Sequence, residues 1–239
     1  MSKKCLIVGA SGDIGSAIAK QLADLDYQLI LHYCHHFEAI SDLKTLISDD
    51  AIYDVIQADL ATKEGLTSFL LELPVDIDHI VFASGTSYFG LFQEMHDMDM
   101  DHILHLHLTS PWKITKHLLP HMIQRKFGAI ILISSIWGEF GASCEVAYSS
   151  VKGGQDSFVK ALAKEVGPSG IRVNGVSPGF IQTKMNRHLL DEEKNALHAE
   201  IPLQRSGTPD EVAHIVSFLL SEKSSYIQGE IVRVQGGWM

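Results

Sequence analysis

Tyr148 and Lys152 stand four residues apart in a stretch whose apolar pattern predicts a helix. This spacing places both side chains on one helical face. An unperturbed tyrosine has a pKa of about 10, and a nearby cation lowers that pKa because it favours the phenolate. The pair therefore predicts a proton donor that works near neutral pH, with Lys152 lowering the pKa of Tyr148. The same spacing also arises by chance on amphipathic helices, as a packed tyrosine beside a surface lysine.

Ser135 lies thirteen residues before Tyr148, just after the apolar run 129–133. A buried strand of this kind delivers its last residues to the carboxyl edge of a parallel sheet, where open α/β folds bind ligands. A hydroxyl there can donate to a substrate carbonyl while Tyr148 supplies the proton. The alternative is a serine that caps a helix or forms a turn, a role that Ser134 could equally fill.

The segment 9–15, with the sequence GASGDIG, directly follows the first apolar run and opens a helix. A turn of this kind brings backbone N–H groups and a helix N-terminus against a pyrophosphate. Glycine is required where a Cβ would block that approach or where φ is positive. We therefore expect a dinucleotide cofactor at this turn.

The second predicted strand indicates which dinucleotide binds. An acidic residue at its end usually holds the ribose of NAD, and here the sequence of 32–36 is HYCHH. Without a carboxylate a 2′-phosphate is not repelled, and His35 or His36 could contact it, which favours NADP(H). Asp59, after the third strand, could accept from the adenine amino group or cap the following helix.

Composition restricts the class of protein. The chain has 239 residues, 46% of them hydrophobic, and a net charge of −10. Its cationic residues form no patch, so we expect neither nucleic acid nor an anionic membrane as a partner. Cys5, Cys34 and Cys144 are too widely spaced for a disulfide framework or a metal cluster, which favours a reducing cytoplasm. No window has the apolar length of a membrane span, and the first apolar run is too short for a signal peptide.

Short apolar runs alternate with helical patterns, which predicts βαβ units and a parallel sheet in one domain, 1–239. Asp99 and Thr208 are the expected N-caps of the fourth and the last helix. Residues 180–206 interrupt the alternation, and they are long enough to cover a cleft as a mobile lid. We expect strands at 4–8, 28–33, 52–57, 77–83, 128–134, 170–176 and 230–235. Helices are expected near 13–25, 37–48, 62–73, 99–126, 147–167 and 208–221.

With the glycine turn, Ser135, Tyr148, Lys152 and the NGVSPG segment 174–179 in this order, the chain resembles the short-chain dehydrogenase/reductase family. The similarity covers essentially the whole length, and the C-terminal part, 205–237, is most similar to the 3-oxoacyl-[acyl-carrier-protein] reductase branch. The resemblance implies a single Rossmann-type domain, a doubly wound sheet of seven parallel strands flanked by helices. It also implies a homotetramer built from the two long helices and the last strand.

The resemblance further implies a role for each matching residue. Tyr148 is the expected general acid, Lys152 the group that holds the nicotinamide ribose, and Ser135 the group that orients the carbonyl. His107 takes the place of a helix asparagine that supports a water in the family's proton relay. The residues expected to contact the cofactor are Gly9, Ser11, Asp13, Ile14, Gly15, His35, Asp59, Leu60, Gly85, Tyr148, Lys152, Pro178, Gly179, Ile181 and Thr183.

Three positions depart from the family pattern. Asp13 replaces the second glycine of the fingerprint, where a carboxylate suits the helix dipole but lies near the cofactor phosphates. The sequence of 82–85 is FASG, where the family has an Asn-Asn-Ala-Gly motif. His107 could hold a water or pass a proton, or it could be a buried histidine that satisfies a helix-break carbonyl. His107 also points about 200° away from His105, so these histidines predict no metal site.

The predicted function is NADPH-dependent reduction of a ketone to an alcohol, on a small-molecule or carrier-linked substrate such as a 3-oxoacyl group. Ser169 stands where carrier-docking reductases commonly have an arginine, and an acidic chain attracts an acidic carrier weakly. The local pattern in 136–145 is similar to a bacterial subgroup that reduces an aminopentanone-modified lysine of elongation factor P. Glu139 and Glu145 would then suit an amine-bearing substrate. The competing class is a non-catalytic dinucleotide-binding sensor.

Overall fold

The computed structural model describes residues 2–187 and 189–239. Seven strands form one sheet: β1 Lys4–Val8, β2 Gln28–Tyr33, β3 Ile52–Gln57, β4 His79–Phe82, β5 Gly128–Ile133, β6 Ile171–Pro178 and β7 Ile231–Val234. All neighbouring strands run parallel, in the order β3-β2-β1-β4-β5-β6-β7. The predicted doubly wound parallel sheet is confirmed, and its order reverses between β1 and β4, where such folds open a crevice for ligands.

The helices connect these strands. They are α1 Asp13–Ala23, α2 Phe37–Leu46, α3 Lys63–Glu72, α4 Asp97–Leu104, α5 Ser110–Arg125, α6 Trp137–Phe140, α7 Val146–Val166, α8 Asp191–Glu200 and α9 Pro209–Leu220. A π-helical turn, His105–Thr109, joins α4 to α5. Short 3₁₀ turns occupy Asp49–Ala51, Phe92–Glu94, Gly167–Ser169, Lys184–Asn186 and Glu222–Ser224. None of the described helices is both long enough and apolar enough to cross a bilayer.

Apolar side chains cover both faces of the sheet, which explains why the strands read as nearly continuous apolar runs. On one face α1, α2 and α9 contribute buried residues such as Ile18 and Val216. On the other face α3, α5 and α7 contribute Phe69, Leu118 and Val159. The two layers fix the carboxyl ends of the strands relative to the N-termini of α1 and α7.

The predicted N-cap of the fourth helix was wrong. α4 begins at Asp97 with His96 as its N-cap. Asp99 therefore lies within the first turn, where the helix dipole still stabilises a carboxylate. Thr208 is confirmed as the N-cap of α9, because its hydroxyl accepts from the Glu211 backbone N–H at 3.3 Å. Glu211 in turn accepts from the Thr208 N–H at 2.8 Å, which completes a capping box.

The predicted continuous helix 99–126 is interrupted by the π-helical turn. Pro111 lies in the first turn of α5 and has no N–H, so it cannot donate to the His107 carbonyl four residues earlier. A π turn is a common response to a break in the i→i−4 ladder. The interruption leaves the His107 carbonyl oxygen able to accept from another element.

The predicted lid segment, 180–206, contains α8, which the sequence pattern did not reveal. Backbone hydrogen bonds hold its two ends to the domain: Gln182 N–H donates to Gly207 O at 2.9 Å, and Leu203 N–H donates to Gly236 O at 3.2 Å. His188, inside this segment, lies outside the described residues.

Candidate active site

A cavity of about 480 Å³ opens at the carboxyl ends of β1 and β4, where the strand order reverses. Of the predicted site residues, Gly15 and His107 do not line it. Those that do are Gly9, Ser11, Asp13, Ile14, His35, Asp59, Leu60, Gly85, Ser135, Tyr148, Lys152, Pro178, Gly179, Ile181 and Thr183. A second cavity, of about 510 Å³, lies between α1 and the segment 182–187 and contains none of the predicted catalytic side chains.

Gly9 must be a glycine for two independent reasons. Its φ is +89°, in the left-handed region, and a Cβ there would lie 2.6 Å from the backbone N and Cα of Ser84. Gly15, on the first turn of α1, packs so closely that a Cβ would collide with the Gly9 carbonyl oxygen. The turn therefore presents bare backbone to the cavity, as the approach of a pyrophosphate requires.

His32 anchors this turn, a role that the sequence did not reveal. Its Nδ1 accepts from the Gly9 N–H at 3.1 Å, so its Nε2 donates to the Ala58 carbonyl at 3.0 Å. Burial lowers the pKa of His32 to about 4, which keeps the ring neutral as this pairing demands. The imidazole thus joins the ends of β1, β2 and β3 beneath the cavity.

Asp13 links the glycine turn to the predicted lid. Its carboxylate accepts a hydrogen bond from the backbone N–H of Lys184, at the start of the 3₁₀ turn in the segment 180–206. It also lies in the first turn of α1, where the helix dipole favours a negative charge. Asp13, which replaces the second glycine of the family fingerprint, therefore makes a hydrogen bond of its own within this chain.

Cys34, His35 and Asp59 meet at the end of the cavity below β2 and β3. The Cys34 thiol lies 3.3 Å from His35 Nε2, and one ligating atom of each of the three residues lies within 4.8 Å of the others. Burial and the Asp59 carboxylate raise the pKa of Cys34 to about 11, so the thiol stays protonated near neutral pH. This cluster was not predicted, because Asp59 follows β3 whereas Cys34 and His35 follow β2, and spacing along the chain does not show that they meet.

The helix-cap alternative for Asp59 was wrong. The N-cap of α3 is Thr62, which accepts from the Gly65 N–H at 3.0 Å. Asp59 instead accepts from the Ala61 N–H at 3.0 Å in the preceding turn, with its side chain at the cavity wall.

Tyr148 and Lys152 project from the first turns of α7 into the cavity. The Lys152 ammonium nitrogen lies 5.5 Å from the centroid of the Tyr148 ring. Burial raises the pKa of Tyr148 to about 12, against the opposing effect of a hydrogen bond with Ser135. Burial also lowers the pKa of Lys152 to about 7. The expected lowering of the Tyr148 pKa by Lys152 is therefore absent, because the amine is itself desolvated and donates elsewhere.

Ser135 lies in the turn after β5, at the wall of the cavity. Its hydroxyl accepts from the Trp137 N–H at 3.3 Å, as a turn serine does, and it also contacts the Tyr148 hydroxyl at the cavity wall. Ser134 also lines the cavity, and its hydroxyl donates to the Lys152 carbonyl at 3.4 Å, which ties β5 to α7.

His107 is fully buried beside Tyr148. Its Nε2 lies 2.9 Å from the Thr86 carbonyl oxygen, and burial lowers its pKa to about 3, so the ring is neutral. A Cβ on Gly85 would lie 2.7 Å from the His107 ring, so the glycine of the FASG segment makes room for the imidazole. The Nδ1 atom has no hydrogen-bond partner in the described part of the chain.

Gln155 is a site residue that sequence reasoning missed. Its Nε2 donates to the His107 carbonyl at 2.7 Å, and its Oε1 accepts from Lys152 Nζ at 3.1 Å. Lys152 also donates to the Ile133 carbonyl at 2.8 Å. The signal available in the sequence was a polar residue on the buried face of the helix, three positions after Lys152.

The two acidic residues expected near the cleft mouth, Glu139 and Glu145, do not line the cavity, and they differ in their surroundings. Glu139 forms a salt bridge with Arg233 at 2.6 Å, so its charge is neutralised within the domain. Glu145 is half-buried and has no salt-bridge partner among the described residues. Burial raises the pKa of Glu145, and its charge is close enough to raise the pKa of Tyr148.

Known proteins are similar to this chain over nearly its whole length. Residues 9–239 match the family model described as Enoyl-(Acyl carrier protein) reductase. The chain is 46% identical to Uncharacterized oxidoreductase YmfI of Bacillus subtilis, covering 100% of this chain and 99% of that protein. It is 36% identical to the 3-oxoacyl-[acyl-carrier-protein] reductase FabG of Aquifex aeolicus, over 98% and 96% of the two chains.

Solved structures agree with these sequence matches. A short-chain dehydrogenase/reductase described as glucose/ribitol dehydrogenase, from Brucella melitensis, superposes with a TM-score of 0.90 at 29% identity, covering 99% and 96% of the two chains. ElxO, solved with NADP bound, superposes with a TM-score of 0.89 at 27% identity, covering 100% and 99%. A seven-stranded parallel sheet with this crevice defines a Rossmann-type protein, and the chain belongs to the short-chain dehydrogenase/reductase family of oxidoreductases.

Proposed function

We propose that the protein reduces a ketone to an alcohol with NADP(H) as hydride donor. The observation that carries this proposal is the single cavity shared by the bare-backbone turn at Gly9 and by Ser135, Tyr148 and Lys152. The NADP-bound neighbour supports the choice of dinucleotide, as does the end of β2, where His35 rather than a carboxylate faces the cavity.

The residues divide the chemistry between them. NADPH supplies the hydride to the ketone carbon. Tyr148 then donates its phenolic proton to the ketone oxygen, and its pKa of about 12 keeps that proton in place near neutral pH. Ser135 holds the ketone oxygen beside the phenol, and Lys152 would hold the nicotinamide ribose. Asp59 and Leu60 would face the adenine, while Pro178, Gly179, Ile181 and Thr183 would line the nicotinamide end.

The test of this proposal is turnover with a defined set of ketones. Purified protein is mixed with NADPH or NADH and with β-ketoesters, quinones and a 3-oxoacyl thioester, and the loss of reduced-nicotinamide absorbance is followed. We expect oxidation of NADPH in preference to NADH. Tight NADPH binding without turnover of any ketone would instead support the dinucleotide-binding sensor.

A substrate that carries an amine is a second candidate, favoured by Glu145. This carboxylate lies near Tyr148 and has no salt-bridge partner among the described residues, so a cationic substrate group could neutralise it. The proposal fits reduction of an aminopentanone-modified lysine of elongation factor P. Glu139→Gln is the matched control, because Arg233 already neutralises that carboxylate. We expect Glu145→Gln to lower kcat/KM for a cationic ketone and not for its neutral isostere; equal effects on both ketones would exclude this role.

Two further features complete the proposal. The segment 180–206 would act as a substrate lid, since it contacts the glycine turn through Asp13 and Lys184.

A homotetramer would bury the outer faces of α5 and α7, where Trp112 is 45% exposed and its ring lies 6.3 Å from that of Phe158. Light scattering would test the assembly by comparing the molecular mass of wild type and of Trp112→Ser in solution. An unchanged mass would place this face outside the contact between subunits.

A further inference from the structure

The Lys152 amine is held by a fixed set of partners. The residue is 3% exposed, and its Nζ donates to the Ile133 carbonyl at 2.8 Å and to Gln155 Oε1 at 3.1 Å. A buried amine without acceptors would bear the full cost of desolvation. The position of this amine in the cavity therefore depends on the groups that accept from it.

The orientation of the Gln155 amide follows from its neighbours. A carbonyl oxygen can only accept, so the amide must turn its NH₂ group towards His107 O, which lies 2.7 Å away. The amide oxygen then faces Lys152. Gln155 itself is 2% exposed, so no solvent competes for either contact.

The His107 carbonyl can accept the last hydrogen bond in the series from Lys152 through Gln155 because Pro111 does not donate to it. In a continuous α-helix residue 111 would donate to that oxygen, and proline has no N–H to do so. The interruption of the helix and the placement of Lys152 are thus connected through one amide side chain.

We propose that Gln155 is a positioning residue, which holds the Lys152 amine in the cavity by bridging it to the His107 carbonyl. The Gln155 oxygen accepts from the ammonium form and so stabilises that form. The proposal rests on the proposed reductase function for its effect on turnover, but not for its effect on Lys152 itself.

Other groups around Lys152 do not replace this contact. Asp156, on the same helix, raises the pKa of Lys152 but has its own pKa raised by burial. The phenol of Tyr148 is protonated, and the His107 ring from the π-helical turn is neutral. From β5 the Ile133 carbonyl accepts from the amine.

The decisive measurement is the pKa of Lys152, followed by NMR of ¹³C-labelled lysine side chains, with Lys152→Met to assign the resonance. We expect Gln155→Leu to lower that pKa. Gln155→Glu retains an acceptor for the amine, so the pKa should stay at or above the wild-type value. Ser150→Ala is the control on the same helix, because its exposed hydroxyl donates to the Val146 carbonyl at 2.8 Å. An unchanged Lys152 pKa in both Gln155 variants would overturn the proposal.

Turnover provides the second readout. At saturating NADPH we expect Gln155→Leu to lower kcat about 10- to 100-fold, the effect of losing a hydrogen bond to a charged group. Gln155→Glu keeps an acceptor for Lys152 but has no N–H for the His107 carbonyl, so we expect it to lower kcat as well while the Lys152 pKa is held. A wild-type kcat in either Gln155 variant would also count against the bridge. If no ketone is turned over, the NMR titration of Lys152 still tests the Gln155 bridge. Failure of the reductase proposal is therefore distinguishable from failure of the Gln155 proposal.

Discussion

The imidazole ring of His107 stands edge-on to the phenol ring of Tyr148, with the two centroids 5.6 Å apart and the planes at 87°. Because burial keeps His107 neutral, the neighbour of the phenol is an uncharged ring and not a cation. The proposed proton donor is therefore a phenol with a raised pKa, held against Ser135 and packed by His107.

Replacing Tyr148 by Phe should remove this donor without changing the shape of the cavity. We expect kcat to fall by about 10²- to 10⁴-fold, the range for loss of a general acid. The dissociation constant of NADPH, measured by fluorescence, should stay within a few-fold of wild type. Tyr226→Phe is the control, because Tyr226 is fully exposed. Activity retained in Tyr148→Phe would contradict the assignment.

The buried Lys152 should make stability depend on pH. Its pKa is about 7 in the folded chain and 10.5 as an unperturbed lysine, so between these values the unfolded state binds more protons. The free energy of unfolding therefore rises with pH across this window, by an amount on the order of a few kcal/mol. We expect urea denaturation between pH 7 and 10 to show a steeper rise for wild type than for Lys152→Met. Parallel curves would show that the amine is not desolvated.

Gly9→Ala should disturb the turn that receives the cofactor. Its positive φ alone costs about 1–3 kcal/mol for another residue, and the added methyl would meet the Ser84 backbone. We expect a lower melting temperature and weaker NADPH binding. Gly12→Ala is the control, since its φ is −78° and the nearest atom to a Cβ would be 3.4 Å away. A similar loss in both variants would mean that the turn tolerates no side chain anywhere.

Asp13 should affect both the cofactor and the segment 180–206. Asp13→Asn keeps an acceptor for the Lys184 N–H but removes a negative charge near the expected phosphates, so NADPH should bind more tightly at low ionic strength. Asp13→Ala removes the acceptor, and the Lys184 amide should exchange its hydrogen faster. Asp24→Asn, at the other end of α1, controls for the change in net charge. Unaltered exchange in Asp13→Ala would show that this hydrogen bond does not hold the segment.

The sequence predicted the sheet well because buried parallel strands are marked by short apolar runs. All seven predicted strands begin and end within two residues of their observed bounds. The largest difference at a strand end is in β6, which was predicted to end at 176 and extends from Ile171 to Pro178. α8 was missed because it carries many charged residues and buries no side chain, so it lacks an apolar stripe. The interruption between α4 and α5 was absent from the predicted helix 99–126, although Pro111, which has no N–H, indicates one.

The site was predictable as a set of side chains but not as a network. The spacing of Tyr148 and Lys152 indicates a shared helix face, and strand ends indicate a shared sheet edge. Nothing in the spacing shows that Lys152 donates to Gln155, or that His32 fastens Gly9 to Ala58. Such contacts join residues distant along the chain, and burial then reversed the expected direction of the Tyr148 pKa.

The proline at position 111 has a consequence for variation in this protein. A residue with an N–H at that position could straighten the helix by engaging the His107 oxygen, and that oxygen would then be drawn away from the Gln155 amide. Positions 111 and 155 should therefore tolerate change only in concert. A helix that lost its interruption would thus disturb a lysine buried on the neighbouring helix.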